Sequence, residues 1–201
     1  SSVLLVGDDE FVVSTGSNLR VYNDATQISH LLSPQIPNCV SVTSAVLSRD
    51  RKLLTVVVKE TDQDPTGGAG TSVVTMNAIT GNKVVEEVHW VKGQTACVHV
   101  YDMAAQMAHR PKKPKTIMYK PEKWQDSWPT LRFTSVAISR DNCYIAVSTN
   151  VPELGTLLYD AMLGALVVKL ATTKLIKDLS FYPEDSTKLC AIGLSNTISM
   201  W

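Results

Sequence analysis

A short unit returns along the chain at fixed offsets. Residues 42–50, Val42-Thr-Ser-Ala-Val-Leu-Ser-Arg-Asp50, reappear 91 positions later as Phe133-Thr-Ser-Val-Ala-Ile-Ser-Arg-Asp141, with five of nine positions identical. An apolar run follows each copy: Leu53-Leu-Thr-Val-Val-Val58 in the first and Tyr144-Ile-Ala-Val-Ser148 in the second. A diverged third copy, residues 176–185 followed by Leu189-Cys-Ala-Ile-Gly193, lies 43 residues beyond the second, counted from Ser135 to Asp178. Self-similarity of this kind marks a supersecondary unit that buries its apolar faces against the next copy of itself.

Within each copy the pattern is a strand with alternating apolar positions, a polar turn of the Ser-Arg-Asp or Tyr-Pro-Glu-Asp kind, and a second apolar strand. A third strand ending in an aromatic follows, at 19–23, 98–102, 157–160 and 197–201. Residues 27–32 and 165–170 supply a fourth, the latter after the turn Ala161-Met-Leu-Gly164. Four strands in about 43 residues describe one blade of a WD40-type propeller. The expected fold is therefore all-β, a partial WD40-type β-propeller of about four blades, some incomplete. The double-length offset places extra residues at 61–95. They open with the turn-rich Thr61-Asp-Gln-Asp-Pro-Thr-Gly-Gly-Ala-Gly70 and continue as apolar runs at 72–76 and 83–88 joined by Asn77-Ala-Ile-Thr-Gly-Asn82. This predicts a β-hairpin inserted between the second and third strands of one blade; the competing reading makes it the outer half of an extra blade. One short helix is expected at 102–109, ended by Pro111.

Four blades do not close a ring, and WD propellers protect their sheet faces by closure at about seven blades. If each open face leaves on the order of 500 Å² of apolar surface in water, the lost burial amounts to roughly 12 kcal/mol at about 25 cal/mol per Å². That rivals the whole stability of a domain, about 5–15 kcal/mol. The expectation is that residues 1–201 are the N-terminal part of a larger ring, and that the natural chain continues.

Charge and chemistry narrow the function. Lys plus Arg equals Asp plus Glu at 19 each, so no global field steers the molecule to a polyanion. No apolar run reaches the length of a bilayer span, so no membrane partner is expected. Cys39, Cys97, Cys143 and Cys190 share no CxxC spacing and lie in strand-like stretches, which reads as free buried thiols. His30, His89, His99 and His109 lack metal-ligand spacing, and Gly67-Gly-Ala-Gly70 lacks the Lys-Ser/Thr of a phosphate loop, reading instead as a mobile loop. No catalytic constellation, cofactor motif or metal set is readable, so the chain is expected not to be an enzyme. The one local charge feature runs over residues 110–123, with Arg110, Lys112, Lys113, Lys115, Lys120 and Lys123 against Glu122 alone. Pro111, Pro114 and Pro121 keep it extended, and Trp124 and Trp128 follow. Residues 109–129 thus form a basic Pro/Trp loop. It is either a solvated surface segment or a docking site for an acidic protein surface, such as tubulin tails, or for nucleic acid.

Longer motifs carry a resemblance. Residues 133–149 (Phe-Thr-Ser-Val-Ala-Ile-Ser-Arg-Asp-Asn-Cys-Tyr-Ile-Ala-Val-Ser-Thr), Pro152-Glu-Leu-Gly-Thr-Leu-Leu-Tyr-Asp160 and Leu179-Ser-Phe-Tyr-Pro-Glu-Asp-Ser-Thr-Lys-Leu-Cys-Ala-Ile-Gly193 resemble the first propeller of the large WD-repeat cilia- and flagella-associated proteins, including their dynein-tether members. The opening Glu10-Phe-Val-Val-Ser-Thr-Gly-Ser-Asn-Leu-Arg-Val-Tyr-Asn23 is similar to that family's first strands. The chain departs from the pattern in lacking a Gly-His dipeptide and a Trp-Asp, and in carrying the 61–95 insertion. The resemblance implies a non-enzymatic axonemal scaffold in the cytoplasm, cytoskeleton and cilium or flagellum. Its implied partners are other axonemal proteins, tubulin of doublet microtubules and inner dynein arm components, with more propeller and coiled coil beyond residue 201. A general WD-repeat adaptor in RNA processing or trafficking is the alternative that the basic run allows.

Overall fold

The computed structural model describes residues 3–32, 35–36, 39–60, 73–76, 83–86, 96–108, 110, 112–119, 131–172, 174–194 and 197–201. Its strands assort into four antiparallel sheets of three or four strands in chain order, the blades of a β-propeller, and one separate two-stranded sheet. Blade 1 is β1 (Val3–Leu5), β2 (Glu10–Thr15), β3 (Asn18–Asn23) and β4 (Ile28–Leu31). Blade 2 has β5 (Cys39–Leu47), β6 (Leu53–Glu60), then β9 (Cys97–Asp102) and β10 (Lys115–Met118). Between β6 and β9 in the chain, β7 (Val73–Met76) and β8 (Lys83–Glu86) pair with each other as a two-stranded sheet, while β6 pairs directly with β9. The joining residues 77–82 and the Gly67–Gly70 run lie outside the described residues. Blade 3 is β11 (Phe133–Ile138), β12 (Tyr144–Thr149), β13 (Thr156–Asp160) and β14 (Leu166–Leu170). Blade 4 holds β15 (Ile176–Tyr182), β16 (Asp185–Gly193) and β17 (Ile198–Met200).

The three sequence copies are the inner hairpins of blades 2, 3 and 4, and the Ser-Arg-Asp turn explains why the first two fold alike. In blade 2 the Ser48 hydroxyl donates to Asp50 Oδ1 at 2.7 Å and accepts from the Leu53 N–H at 2.9 Å. In blade 3 Ser139 repeats both bonds, to Asp141 at 2.6 Å and from Tyr144 at 2.9 Å. Each turn passes through one left-handed residue, Arg51 (φ 59°) and Asn142 (φ 62°), again 91 positions apart. The third copy differs by one residue. Phe181 pairs with Leu189 where Ile138 pairs with Ile145, so the connection is longer by one; Tyr182 pairs with Asp185 across the turn itself, and the register shifts between Phe181 and Tyr182.

Blades need apolar residues on both faces, because each is packed between two others; this is why the inner strands read as near-continuous apolar runs. On β6, Leu54 and Val56 join Val12, Leu19 and Val21 of blade 1, while Val57 turns to blade 3. On β12, Ile145 and Val147 face blade 2 and Ala146 faces Leu179, Phe181 and Leu189 of blade 4. The small Ala137 and Ala146 set blade 4 close against blade 3, opposite its larger Phe181. Blade 4's other face leaves Ile192, Ile198 and Met200 exposed, so the arc is not closed.

Candidate protein-docking surface

The connection from β9 to β10 holds the basic run. Asp102 ends β9 and caps α1 (Met103–Met107), its carboxylate accepting from the Ala105 N–H at 3.1 Å. That backbone bond, then Lys112, hold the Asp102 carboxyl below the usual aspartate range. Met103, Ala105 and Gln106 are buried, so the short helix is seated on the blade rather than hung from it.

The structure divides the predicted cations. Arg110 and Lys113 are exposed. Lys112 is exposed but pairs with Asp102 at 3.0 Å. Lys115 is not a loop residue: it begins β10, the outer strand of blade 2, paired opposite Val100. Its ammonium donates to the Ala161 carbonyl at 2.9 Å and to the Met162 carbonyl, both in blade 3. This corrects the extended-loop expectation for 115–118. Three prolines mimic a loop in the sequence, yet none falls inside the four ladder residues, and the alternation Lys-Thr-Ile-Met fits an edge strand with Ile117 inward. Lys120, Lys123, Trp124 and Trp128 lie outside the described residues.

Lys115 fixes the blade 3 turn that connects β13 to β14. Leu163 N–H donates to Asp160 Oδ1 at 2.6 Å and Gly164 N–H to the Asp160 carbonyl at 2.8 Å. Gly164 takes φ +71°, which only glycine adopts without strain. The result is a rigid tip with Met162 and Leu163 exposed at 86% and 76%. Between this tip and β10 runs a groove of about 240 Å³, lined by Lys115, Ile117, Met118, Tyr159, Leu163 and Leu166 among others. Tyr159 is 1% exposed, and burial, helped by nearby Tyr119, pushes its phenol upward. Its hydroxyl has no hydrogen-bond partner among the described residues.

A second cluster joins three blades. Arg49 donates to the Pro183 carbonyl at 2.9 Å and reaches Glu184 at 3.5 Å. Arg140 meets the other oxygen of the same carboxylate at 2.6 Å. Asn142 donates to Asp50 Oδ2 at 3.0 Å. Burial raises the Asp50 carboxyl, but hydrogen bonds from Ser48, Asn142 and the Lys52 backbone outweigh it and hold it at about 2. Sequence reasoning singled out these turns without finding the clasp. The signal was present: Arg49, Arg140 and Glu184 each precede the turn aspartate, so one repeat position carries opposite charges.

His99 is buried, with Cys97 Sγ 3.3 Å from Nε2 and Thr116 Oγ1 3.2 Å from Nδ1, and burial holds its imidazole below the ordinary value. His30 is half-buried on β4; His89 and His109 lie outside the described residues. Among the described residues no three metal-ligating side chains gather. The thiols are free, but not all are buried as expected: Cys97 is, Cys39 and Cys190 are half-buried, and Cys143 is exposed. Cys143 falls in the polar turn before β12, outside the apolar ladder that covers the others.

No family model and no curated protein sequence matches the chain. Among solved structures it is similar to the β-propeller domain of Myceliophteria thermophila Cps50 (Swd1), with a TM-score of 0.58 at 15% identity. The match covers 96% of this chain and 50% of that one, so the chain spans about half the length of the propeller it matches. At that identity the likeness establishes the fold alone, and the fold is a WD40-type β-propeller arc.

Proposed function

We propose that the chain belongs to a non-enzymatic protein-interaction scaffold of the motile cilium or flagellum axoneme. In this reading it docks on doublet microtubules and helps position or regulate inner dynein arms. One observation carries the reading. The motif run that resembles the cilia- and flagella-associated family, residues 133–193, coincides with two successive blades, from the inner hairpin of blade 3 to that of blade 4. The Pro152-Glu153 loop of that motif enters β13 through Gly155. Further support comes from the lowered carboxyls: Asp50, Asp102, Asp141, Glu184 and Asp185 all answer to turn, cap or inter-blade hydrogen bonds. Such shifts serve architecture rather than a reaction centre. The exposed Arg110 and Lys113 suit the acidic surface of a microtubule.

Fractionation of motile flagella tests the reading, with the chain expected on salt-washed axonemes; recovery only in the soluble cell body overturns it. The basic run also favours an adaptor that binds RNA. Specific RNA binding abolished by Arg110→Glu with Lys113→Glu would establish that reading instead. Lys115 is unsuitable for the purpose because it holds blade 3.

A further inference from the structure

We infer that the groove between β10 and the blade 3 turn takes an extended acidic peptide segment carrying one large apolar side chain. The inference rests on the scaffold reading and names the surface and the partner's chemistry. β10 is the terminal strand of its sheet, in the order β10-β9-β6-β5, so one side of its backbone has no ladder partner among the described residues. An added strand is the usual occupant of such an edge, with main-chain bonds giving affinity and side-chain pockets giving specificity.

Three independent features point to the occupant. The groove beside that edge is apolar at Ile117, Met118 and Leu163, so it suits a hydrophobic side chain. Tyr159 offers a buried hydroxyl without an acceptor among the described residues, and a lone buried donor is costly until it is paired. A peptide carbonyl or carboxylate at the groove would supply the acceptor. Charge is complementary as well: Arg110 and Lys113, both exposed, precede β10. Cations ahead of the strand match carboxylates at one end of an extended segment. The rigid tip needs no reorganisation, since Lys115, Asp160 and Gly164 already fix Met162 and Leu163.

Fluorescence anisotropy of the purified chain with a labelled glutamate-rich peptide of about a dozen residues bearing one central leucine tests this. Leu163→Gln is expected to weaken binding about tenfold. Tyr159→Phe should weaken it about fivefold while leaving thermal stability equal or higher, because it deletes an unpaired hydroxyl without changing the packing. Arg110→Glu with Lys113→Glu should weaken it about tenfold more at low than at high salt. The inference is overturned by any of four results: no anisotropy change up to about 1 mM peptide; equal affinity when the peptide's leucine is replaced by glycine; binding indifferent to both Leu163→Gln and Tyr159→Phe; or preferential capture of an oligouridylate. A chain that sediments with salt-washed axonemes but ignores the peptide leaves the axonemal reading standing and removes the groove. A chain that takes the peptide in the groove but ignores axonemes does the reverse.

Discussion

Replacing Ser139 by alanine probes the device that makes the blades repeat. Ser139 is fully buried and its hydroxyl holds two bonds, one donated to Asp141 at 2.6 Å and one accepted from the Tyr144 N–H at 2.9 Å. Alanine leaves the Tyr144 N–H, at the start of β12, without its acceptor, at a cost of about 1–3 kcal/mol for a buried donor. The bond to the carboxylate counts for less, because Asp141 is exposed and water replaces the hydroxyl; about 0.5 kcal/mol is a reasonable share. The expected loss is about 2 kcal/mol, or a fall of roughly 4–8 °C in Tm for a chain of this size. Urea denaturation followed by tryptophan fluorescence and far-UV circular dichroism reads it directly. Ser48→Ala should cost the same within about 0.5 kcal/mol, since its two bonds match in kind and length. The Ser139 hydroxyl is the largest cause of Asp141's lowered carboxyl. A group depressed in the folded state contributes stability above its unfolded value and loses it as pH falls. The Ser139→Ala penalty should therefore shrink below the ordinary aspartate range. A loss under about 0.5 kcal/mol in both variants, with unchanged spectra, would refute the view that these serines organise the turns.

Other perturbations reach different parts of the arc. Leu157→Ala, at a fully buried β13 position in the core between blades 2 and 3, should cost about 3 kcal/mol by calorimetry or denaturant titration. Gly155→Ala should cost about 2–3 kcal/mol, because Gly155 takes φ +68° and a Cβ there would strike the Leu170 carbonyl; a neutral result would mean the β13–β14 approach is looser than described. His99 is neutral in its buried site, so the unfolded chain takes the proton first. Stability should be complete above the unfolded value of about 6.5 and fall as pH drops below it toward the folded one, with His99→Gln flattening the slope below about pH 6.5.

Local chemistry carried much of this molecule in plain view. Alternating apolar residues, a Ser-Arg-Asp turn that closes on itself within six positions and an aromatic-ended third strand were enough to place inner hairpins at 42–58, 133–148 and 176–193. Each feature depends on neighbours in the chain. The third strand, expected at 98–102 and found at Cys97–Asp102, was legible for the same reason despite the long excursion before it. The outer strand of blade 2 was not, because prolines on both sides made Lys115–Met118 resemble a loop, and only pairing with β9 decides otherwise. Charge partnership was decided by the tertiary structure alone. Arg49 and Glu184 are 135 residues apart in the chain, and Lys115 is 46 from Ala161; stacking blades brings each pair into contact. A run of six cations therefore looked uniform in the sequence, whereas packing assigns Lys115 to hold a neighbouring blade, pairs Lys112 with Asp102, and leaves Arg110 and Lys113 facing solvent. Periodicity is written locally because strands and turns are local; which charges are spent inside the fold depends on distances that exist only once the blades have packed.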